Sequence, residues 1–477
     1  MDRPAPRVRA IVLAAGAGGR FGGAKLDARI DGKPILQHVL DALASAGLDD
    51  PVVVVGEDPP TSIEWRHAER VANPDPARGL ASSLQVGWGA ALARAPAPDA
   101  VMVALGDQPL IRREVLGELL AARMDPARPV VAPRYAGSGA HNPLRVEATA
   151  AALVQAATGD RGLGPLLATR PDLVRWLDFE GDNPDVDVAA DLARVAEIAW
   201  SDRVRRNRAQ VERFREAPDG PDFYACVSAI FRDDPDRTGD PVLDVLRRHA
   251  RPGDSWLDIG AGAGRYALPL ARTIREVIAV DPSTSMLQEL RSAGTEHAIA
   301  NVRIVAGRWP DAVATTGPLA GSLPVDVALI AHVGYDIEAI GPFVGAMERA
   351  ARRICLAVLM ERSPALIAEP FWPPLHGEPR VALPALPAFT DLLAARGRRP
   401  EVEMVDASRR RWTTREELER YVRRQTWVAP GSEKDRRMLS LLDEWLVTND
   451  DGSVELSVAE PLRVGVVSWS PAGAAAG

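Results

Sequence analysis

Short apolar runs recur along the chain, each followed by a stretch in which apolar positions return every three or four residues. In the first part of the chain the runs are Ala10–Leu13, Val52–Val55, Val101–Leu105 and Val130–Ala132. The amphipathic stretches between them include Pro34–Ala46, Leu80–Arg94 and Glu114–Arg123. Runs this short, apolar on both faces, predict buried parallel strands, and the intervening period predicts helices covering the sheet. The alternation resumes with Ser255–Ile259, Glu276–Val280, Val302–Val305, Val325–Ile330 and Ile354–Leu359. The fold class expected is α/β: two Rossmann-like three-layer α/β/α domains, each with a mostly parallel sheet.

Between the two alternating regions the pattern changes. Arg203, Arg205, Arg206, Arg208, Arg213 and Arg215 lie among acids with few apolar residues, and Ala217-Pro218-Asp219-Gly220-Pro221 breaks any helix. This predicts an exposed linker helix and turn over 200–222, between a domain at 1–199 and a domain at 223–477. Past Glu361, prolines at 370, 373, 374, 379, 384 and 387 mark an irregular stretch. Thr413–Arg424 and Glu433–Leu446 then read as amphipathic helices of a C-terminal extension, the first with a capping-box start at Thr413/Thr414 and Glu416/Glu417. Val464–Trp469 reads as a final strand.

Composition narrows the classes. At 477 residues the chain is long enough for more than one domain. Its net charge of −8 argues against nucleic acid as an obligatory partner. Cys226 and Cys355 stand far apart without a CxxC, which points to a reducing compartment and no cysteine-ligated metal. No signal-peptide pattern opens the sequence and no run approaches a membrane span, so a cytoplasmic protein without membrane contact is expected.

In parallel sheets ligands bind at the carboxyl ends of strands, and there the candidate chemistry lies. The first apolar run opens into Leu13-Ala14-Ala15-Gly16-Ala17-Gly18-Gly19-Arg20-Phe21-Gly22-Gly23-Ala24-Lys25. Glycines let backbone N–H groups approach anionic oxygens, Lys25 adds a compact charge and Arg20 a forked one. Asp107 follows the strand ending at Leu105, where a carboxylate can share Mg²⁺ with phosphates or cap a helix. Ser82 and Ser83 open a helix and can bind a nucleotide or simply cap. Asp185-Val186-Asp187 offers a further carboxylate for the metal. In the second region Asp258 precedes the glycine turn Gly260-Ala261-Gly262-Ala263-Gly264, and Asp281-Pro282 closes the next strand, where an acid can accept from ribose hydroxyls. His332 and Tyr335 follow the fourth strand, as a base and its orienter or as packing.

Taken in order, Leu13 to Lys25, Gly79-Leu80-Ala81-Ser82-Ser83-Leu84, Leu105-Gly106-Asp107-Gln108-Pro109, Gly159-Asp160-Arg161-Gly162 and Asp185-Val186-Asp187 resemble the MobA-like NTP transferases. Within that family they look most like the molybdenum cofactor cytidylyltransferases. The resemblance implies nucleotide binding by Leu13, Ala14, Ala15, Gly16, Gly18, Lys25, Ser82 and Ser83, and Mg²⁺ binding by Asp107 and Asp187. Lys25, Arg20 and Asp107 would act in catalysis, with CTP as the favoured nucleotide and molybdopterin as the phosphorylated acceptor. A molybdoenzyme or its chaperone is the partner this implies. The second region resembles class I S-adenosylmethionine-dependent methyltransferases. That likeness implies S-adenosylmethionine held by Asp258, Gly260, Ala261, Gly262, Gly264, Asp281, Pro282 and His332, and methyl transfer to an acceptor the sequence leaves open. The expectation is a bifunctional enzyme acting on small molecules. The alternatives are a sugar- or polyol-phosphate nucleotidyltransferase joined to a methyltransferase, or one half kept only as a binding module.

Overall fold

The computed structural model describes all residues except 1–5, 17–19, 138–140, 217–221, 223–227, 314–318, 320, 407–409, 462 and 472–477. The chain divides into two compact units, Met1–Ala196 and Glu197–Gly477. No helix among the described residues is long and apolar enough to cross a membrane.

The first unit is built on a seven-stranded sheet. Its strands are β1 (Val8–Ala14), β2 (Val52–Val55), β3 (Glu69–Ala72), β4 (Ala100–Leu105), β5 (Val130–Tyr135), β6 (Leu144–Glu147) and β7 (Val174–Phe179), in the order β3-β2-β1-β4-β6-β5-β7. Only β6 runs antiparallel to its neighbours. The four valines of β2 are buried, as strands covered on both faces require. Helix α1 (Ile35–Ser45) and helix α2 (Leu80–Ala93) supply much of that cover. Helix α2 lies close on the sheet because it carries Gly87, where a Cβ would stand 2.8 Å from Val54 Cγ2. Strand β6 lacks an apolar pattern because Arg145 serves a structural role there: fully buried, it donates to the carbonyls of Leu119, Leu120 and Ala122 at the end of helix α3 (Arg113–Ala121).

The second unit has its own seven-stranded sheet. Its strands are β8 (Ser255–Ile259), β9 (Glu276–Asp281), β10 (Val302–Ala306), β11 (Val325–Ala331), β12 (Ala351–Met360), β13 (Glu401–Asp406) and β16 (Arg463–Trp469), in the order β10-β9-β8-β11-β12-β16-β13. All run parallel except β16, which pairs antiparallel with both β12 and β13. Met360 pairs with Val464 and Asp406 with Arg463, so the chain leaves β12 and β13 and re-enters β16 at one edge. That edge is the carboxyl end of the parallel strands. The segments leaving there form a cap with a separate apolar core, including Phe371, Leu375, Trp412, Leu418, Val422, Met438 and Leu442. Within it a hairpin joins β14 (Leu446–Thr448) to β15 (Val454–Leu456). The cap's first long helix, Arg415–Thr426, starts two residues later than the sequence pattern suggests. Thr414, the N-cap, accepts from Glu417 N through Oγ1, and Glu417 Oε2 accepts from the N–H of Thr413, one residue before the cap, a near relative of the capping box.

The helix expected as an exposed spacer is a packed element. It runs over Ala189–Phe214, and from Glu197 onward belongs to the second unit. Trp200, Val204 and Val211 are buried. Gln210 holds Pro379 O and Val381 N at 2.8 and 2.7 Å, and Arg203 donates to Ala382 O and Leu383 O. Arg205, Arg206, Arg208 and Arg213 are exposed, as the charge pattern predicts, whereas Arg203 lies against backbone carbonyls.

Candidate active sites

The first site forms where β1 and β4 end side by side. Gly106 makes this possible: a Cβ there would lie 3.2 Å from both Leu13 O and Ala14 Cβ. The turn after β1 places Leu13, Ala14 and Ala15 in the buried floor and Gly16 and Arg20 at the surface; Gly18 lies outside the described residues. Lys25 opens a short turn, Lys25–Asp27, which Asp27 ties down by accepting from Thr61 N and Ser62 N. The Lys25 ammonium then reaches Asp107 Oδ2 at 2.6 Å and Asp187 Oδ1 at 3.3 Å. Asp187 arrives because Val186 N donates to Asp107 O, and because Asp191 accepts from the N–H groups of Asp187 and Val188. Burial works against the Lys25 charge, but Asp107 and Asp187 outweigh it and hold the pKa above its ordinary value. The ammonium is therefore kept charged.

A further carboxylate joins this group. Val186 is buried, and Asp185 and Asp187 flank it two positions apart. Asp185 Oδ1 accepts from Gln108 Nε2 at 2.6 Å, and Gln108 itself is buried and bonded to Asn183. Burial first, then the charge of Asp107, pushes the Asp185 carboxyl up to about 6. The Asp-x-Asp spacing was the signal for it. The donor set consists of hard oxygens around one seated cation, which suits Mg²⁺ held by Asp107 and Asp187 beside phosphate oxygens.

Ser82 and Ser83 stand apart from this group. Both are buried, and Asn73 Nδ2 donates to the two hydroxyls at 2.8 and 2.9 Å. Ser82 Oγ also bonds Asp75 O and Gly79 O, so the pair stitches the 73–79 loop to helix α2. Gly79 sits at φ +87° with Asp160 Oδ1 2.2 Å from where its Cβ would be, which brings Gly79 and Gly159-Asp160 together. His141 stands edge-on to Trp176 with ring centroids 4.7 Å apart.

The second site lies at the carboxyl ends of β8, β9 and β11. Gly260, Gly262 and Gly264 all adopt positive φ, and at Gly260 a Cβ would meet Val333 Cγ2 at 2.4 Å. Asp281 folds the turn onto β9 by accepting from Gly262 N at 2.9 Å and Ser283 N at 2.8 Å. Its carboxyl is nevertheless raised, chiefly by burial, with those two N–H groups pulling the other way. Asp258 is buried with no partner for Oδ1 among the described residues, and burial together with Asp281 pushes it up to about 7. An orphaned buried carboxylate oxygen beside a positive-φ glycine turn fits the cationic amino group and ribose of S-adenosylmethionine. Ala261 is buried in the turn and Pro282 follows Asp281.

His332 lies at the end of β11 in a left-handed conformation, φ 57°, with its N–H donating to Val358 O. Its Nδ1 is shut off from solvent and has no partner among the described residues. Burial, followed by the charges of Arg265 and Arg410, lowers its pKa to about 4. Tyr335 OH accepts from Met360 N at 2.7 Å, which makes it a clamp on the end of β12. Between pH 6.5 and 4 the unfolded chain binds the His332 proton and the folded unit does not, so stability falls as pH drops through that window. His332→Gln is expected to leave the second unit's urea midpoint unchanged at pH 8. It should remove up to about 3 kcal/mol of the loss seen on acidification to pH 4. Equal acid losses in both proteins would mean that the ring is not held neutral.

The two units carry the domains of group-transfer enzymes. Residues 10–174 match the model of the MobA-like NTP transferase domain, and residues 257–334 match that of a methyltransferase domain. The chain thus carries a nucleotidyltransferase-like domain followed by a methyltransferase domain. Among curated proteins it is similar to the bifunctional protein GlmU of Syntrophomonas wolfei, 36% identical over 120 residues (24% of this chain and 25% of that protein). The GlmU of Parvibaculum lavamentivorans is 38% identical over 125 residues, and the match again spans about a quarter of the relative's length. Among solved structures, Rv0371c of Mycobacterium tuberculosis is 25% identical, covering 40% of this chain and 98% of that one, with a TM-score of 0.35. YcgJ of Bacillus subtilis is 17% identical, covering 49% and 100%, with a TM-score of 0.34.

Proposed function

We propose that the first unit transfers a nucleotidyl group from a nucleoside triphosphate, CTP by preference, to a phosphorylated acceptor such as molybdopterin. We propose further that the second unit transfers the methyl group of S-adenosylmethionine to a small molecule. The observation that carries the first reading is the convergence of Lys25 with Asp107 and Asp187 at the carboxyl ends of β1 and β4. The glycine turn after β1 approaches the triphosphate, Lys25 neutralises its oxygens, and Arg20, exposed at the mouth, steers it inward. Asp107 and Asp187 hold Mg²⁺, which supplies charge neutralisation on the phosphates. Little proton transfer is needed, so positioning and electrostatics account for most of the rate. In the second unit Asp281 accepts from the ribose, Asp258 faces the amino group, and Gly260, Gly262 and Gly264 allow close backbone approach. Alignment and exclusion of water under the cap do the rest.

Pyrophosphate release from CTP, GTP and ATP with Mg²⁺, with and without molybdopterin, tests the first reading. Release from CTP that requires the pterin is expected. Release with a sugar or polyol phosphate instead would move the acceptor, and no release with any pair would reduce the unit to a binding module.

A further inference from the structure

Asp222 stands at the end of the stretch expected as a linker, yet it reaches the second site. Its carboxylate lies at the start of the helix that follows β9, Thr284–Glu296. Ser283 Oγ donates to it from 3.0 Å of either oxygen. Ser285 donates to Oδ2 twice, through Oγ at 2.8 Å and through its N–H at 3.1 Å. These two serines stand 61 and 63 positions further along the chain. Residues after Asp222 follow the same helix toward its other end. Ser228 Oγ donates to Glu289 at 3.4 Å, and Arg232 pairs with Glu289 at 3.7 Å and with Glu296.

Ser283 passes this tie on to the site. It is buried and is the N-cap of the helix. Its Oγ accepts from Met286 N at 3.2 Å, which leaves its one proton for Asp222. Its own N–H donates to Asp281 Oδ1 at 2.8 Å, and Gly262 N donates to Asp281 Oδ2 at 2.9 Å. A continuous line of bonds therefore joins Asp222, Ser283, Asp281 and the glycine turn. One N–H on each oxygen sets the plane of the Asp281 carboxylate and leaves further lone pairs for a ligand. One of those two N–H groups belongs to the serine whose hydroxyl Asp222 holds. Helix capping alone does not account for Asp222, because Ser283 already caps. The second carboxylate also has a cost: burial raises the Asp281 carboxyl, its two N–H donors lower it, and the Asp222 charge raises it again. A charge kept beside Asp281 against that cost has a use in the shape of the site.

We propose that Asp222 is a positioning residue for the cofactor, which through Ser283 holds the Asp281 carboxylate in the plane that receives the ribose hydroxyls of S-adenosylmethionine. The proposal rests on the methyltransferase reading of the second unit and extends that site to a residue ahead of its first strand. Ser285 supports the same clasp by giving Asp222 two further donors.

A double-mutant cycle on the full chain tests this, read as S-adenosylhomocysteine affinity by calorimetry. Asp222→Ala is expected to weaken binding about fivefold or more when Asp281 is present. In the Asp281→Ala background the same substitution should change the affinity by less than about twofold, because the carboxylate that Asp222 orients is gone. Asp222→Asn keeps an oxygen that accepts from the serines, so it should retain more affinity than Asp222→Ala. Ser285→Ala is the milder variant and carries the cycle where Asp222→Ala does not fold. It should weaken binding about twofold or more with Asp281 in place and leave it unchanged without. Equal weakening by Asp222→Ala in both backgrounds overturns the positioning role, since a residue that only stabilises the fold acts whether or not Asp281 is there. Wild-type affinity in Asp222→Ala overturns it as well. A wild-type chain that fails to bind S-adenosylhomocysteine, or an Asp281→Ala chain that binds it as tightly as wild type, overturns the cofactor reading itself. Neither of those results involves a change at Asp222, so the two failures are told apart.

Discussion

Lys25→Met is expected to lower pyrophosphate release by about 10²–10³-fold or more while leaving S-adenosylhomocysteine binding unchanged. The size follows from what the ammonium does. Charge accumulates on the phosphate oxygens as the bond to pyrophosphate breaks, and a preorganised cation in a partly dry site contributes several kcal/mol to that state. Lys25 is preorganised by the two carboxylates proposed to hold Mg²⁺, since its Nζ lies 2.6 Å from Asp107 and 3.3 Å from Asp187. Asp107→Asn should cost a comparable factor by removing a metal oxygen and freeing the ammonium from its seat. The two variants separate in a second readout. Lys25→Met leaves Asp107, Asp185 and Asp187 crowded without a cation, so the first unit's thermal midpoint should drop in chelator and recover with Mg²⁺. Asp107→Asn relieves that crowding, and its midpoint should respond less to Mg²⁺. Wild-type pyrophosphate release from Lys25→Met would remove the lysine from the mechanism and, with it, the site assignment.

Lys25 and Asp107 were legible because they follow apolar runs, and Asp187 because it sits in an Asp-x-Asp pattern just before a helix. Asp107 and Asp187 stand 82 and 162 positions from Lys25, yet all three come from loops that a parallel sheet gathers at the carboxyl ends of its strands. Asp185 was harder to see. Sequence spacing shows that it flanks Val186, but only the buried Gln108 amide fixes it against Asp107. Ser82 and Ser83 illustrate the opposite case. Their place at a helix start suggests ligand contact, whereas Asn73, nine and ten positions earlier, engages both hydroxyls. A hydroxyl's partner depends on loop geometry that periodicity does not carry. The strands that escaped the apolar pattern, β3, β6 and β7, hold Glu69, Arg145 and Asp178, because edge position or a buried arginine lets polar residues into the sheet. The cap escaped for a related reason. Its core draws Phe371 and Leu375 from a proline-rich stretch and Trp412 from beside an arginine cluster, so neither contribution looks periodic alone.

Asp281→Ala is expected to weaken S-adenosylhomocysteine binding by about 10–100-fold, with pyrophosphate release by the first unit unaffected. Two losses add. A ribose hydroxyl that donates to a carboxylate loses a charge-assisted bond of about 1.5–3 kcal/mol. The glycine turn also loses its tie to β9, because Gly262 N and Ser283 N both donate to Asp281. Asp281→Asn separates the two contributions. The amide oxygen can still accept from one of those N–H groups, so the turn keeps part of its shape while the negative charge is gone. An affinity midway between wild type and alanine would assign roughly equal weight to the charge and to the turn. Asn behaving like Ala would place the effect in the charge, and Asn behaving like wild type would place it in the turn. Removal of the Asp281 charge should also lower the pKa of Asp258, since Asp281 is the charge that adds to burial in raising it. An unchanged affinity in Asp281→Ala would show that neither the carboxylate nor its tie on the glycine turn bears on the ligand, and the cofactor assignment at the end of β9 would fall.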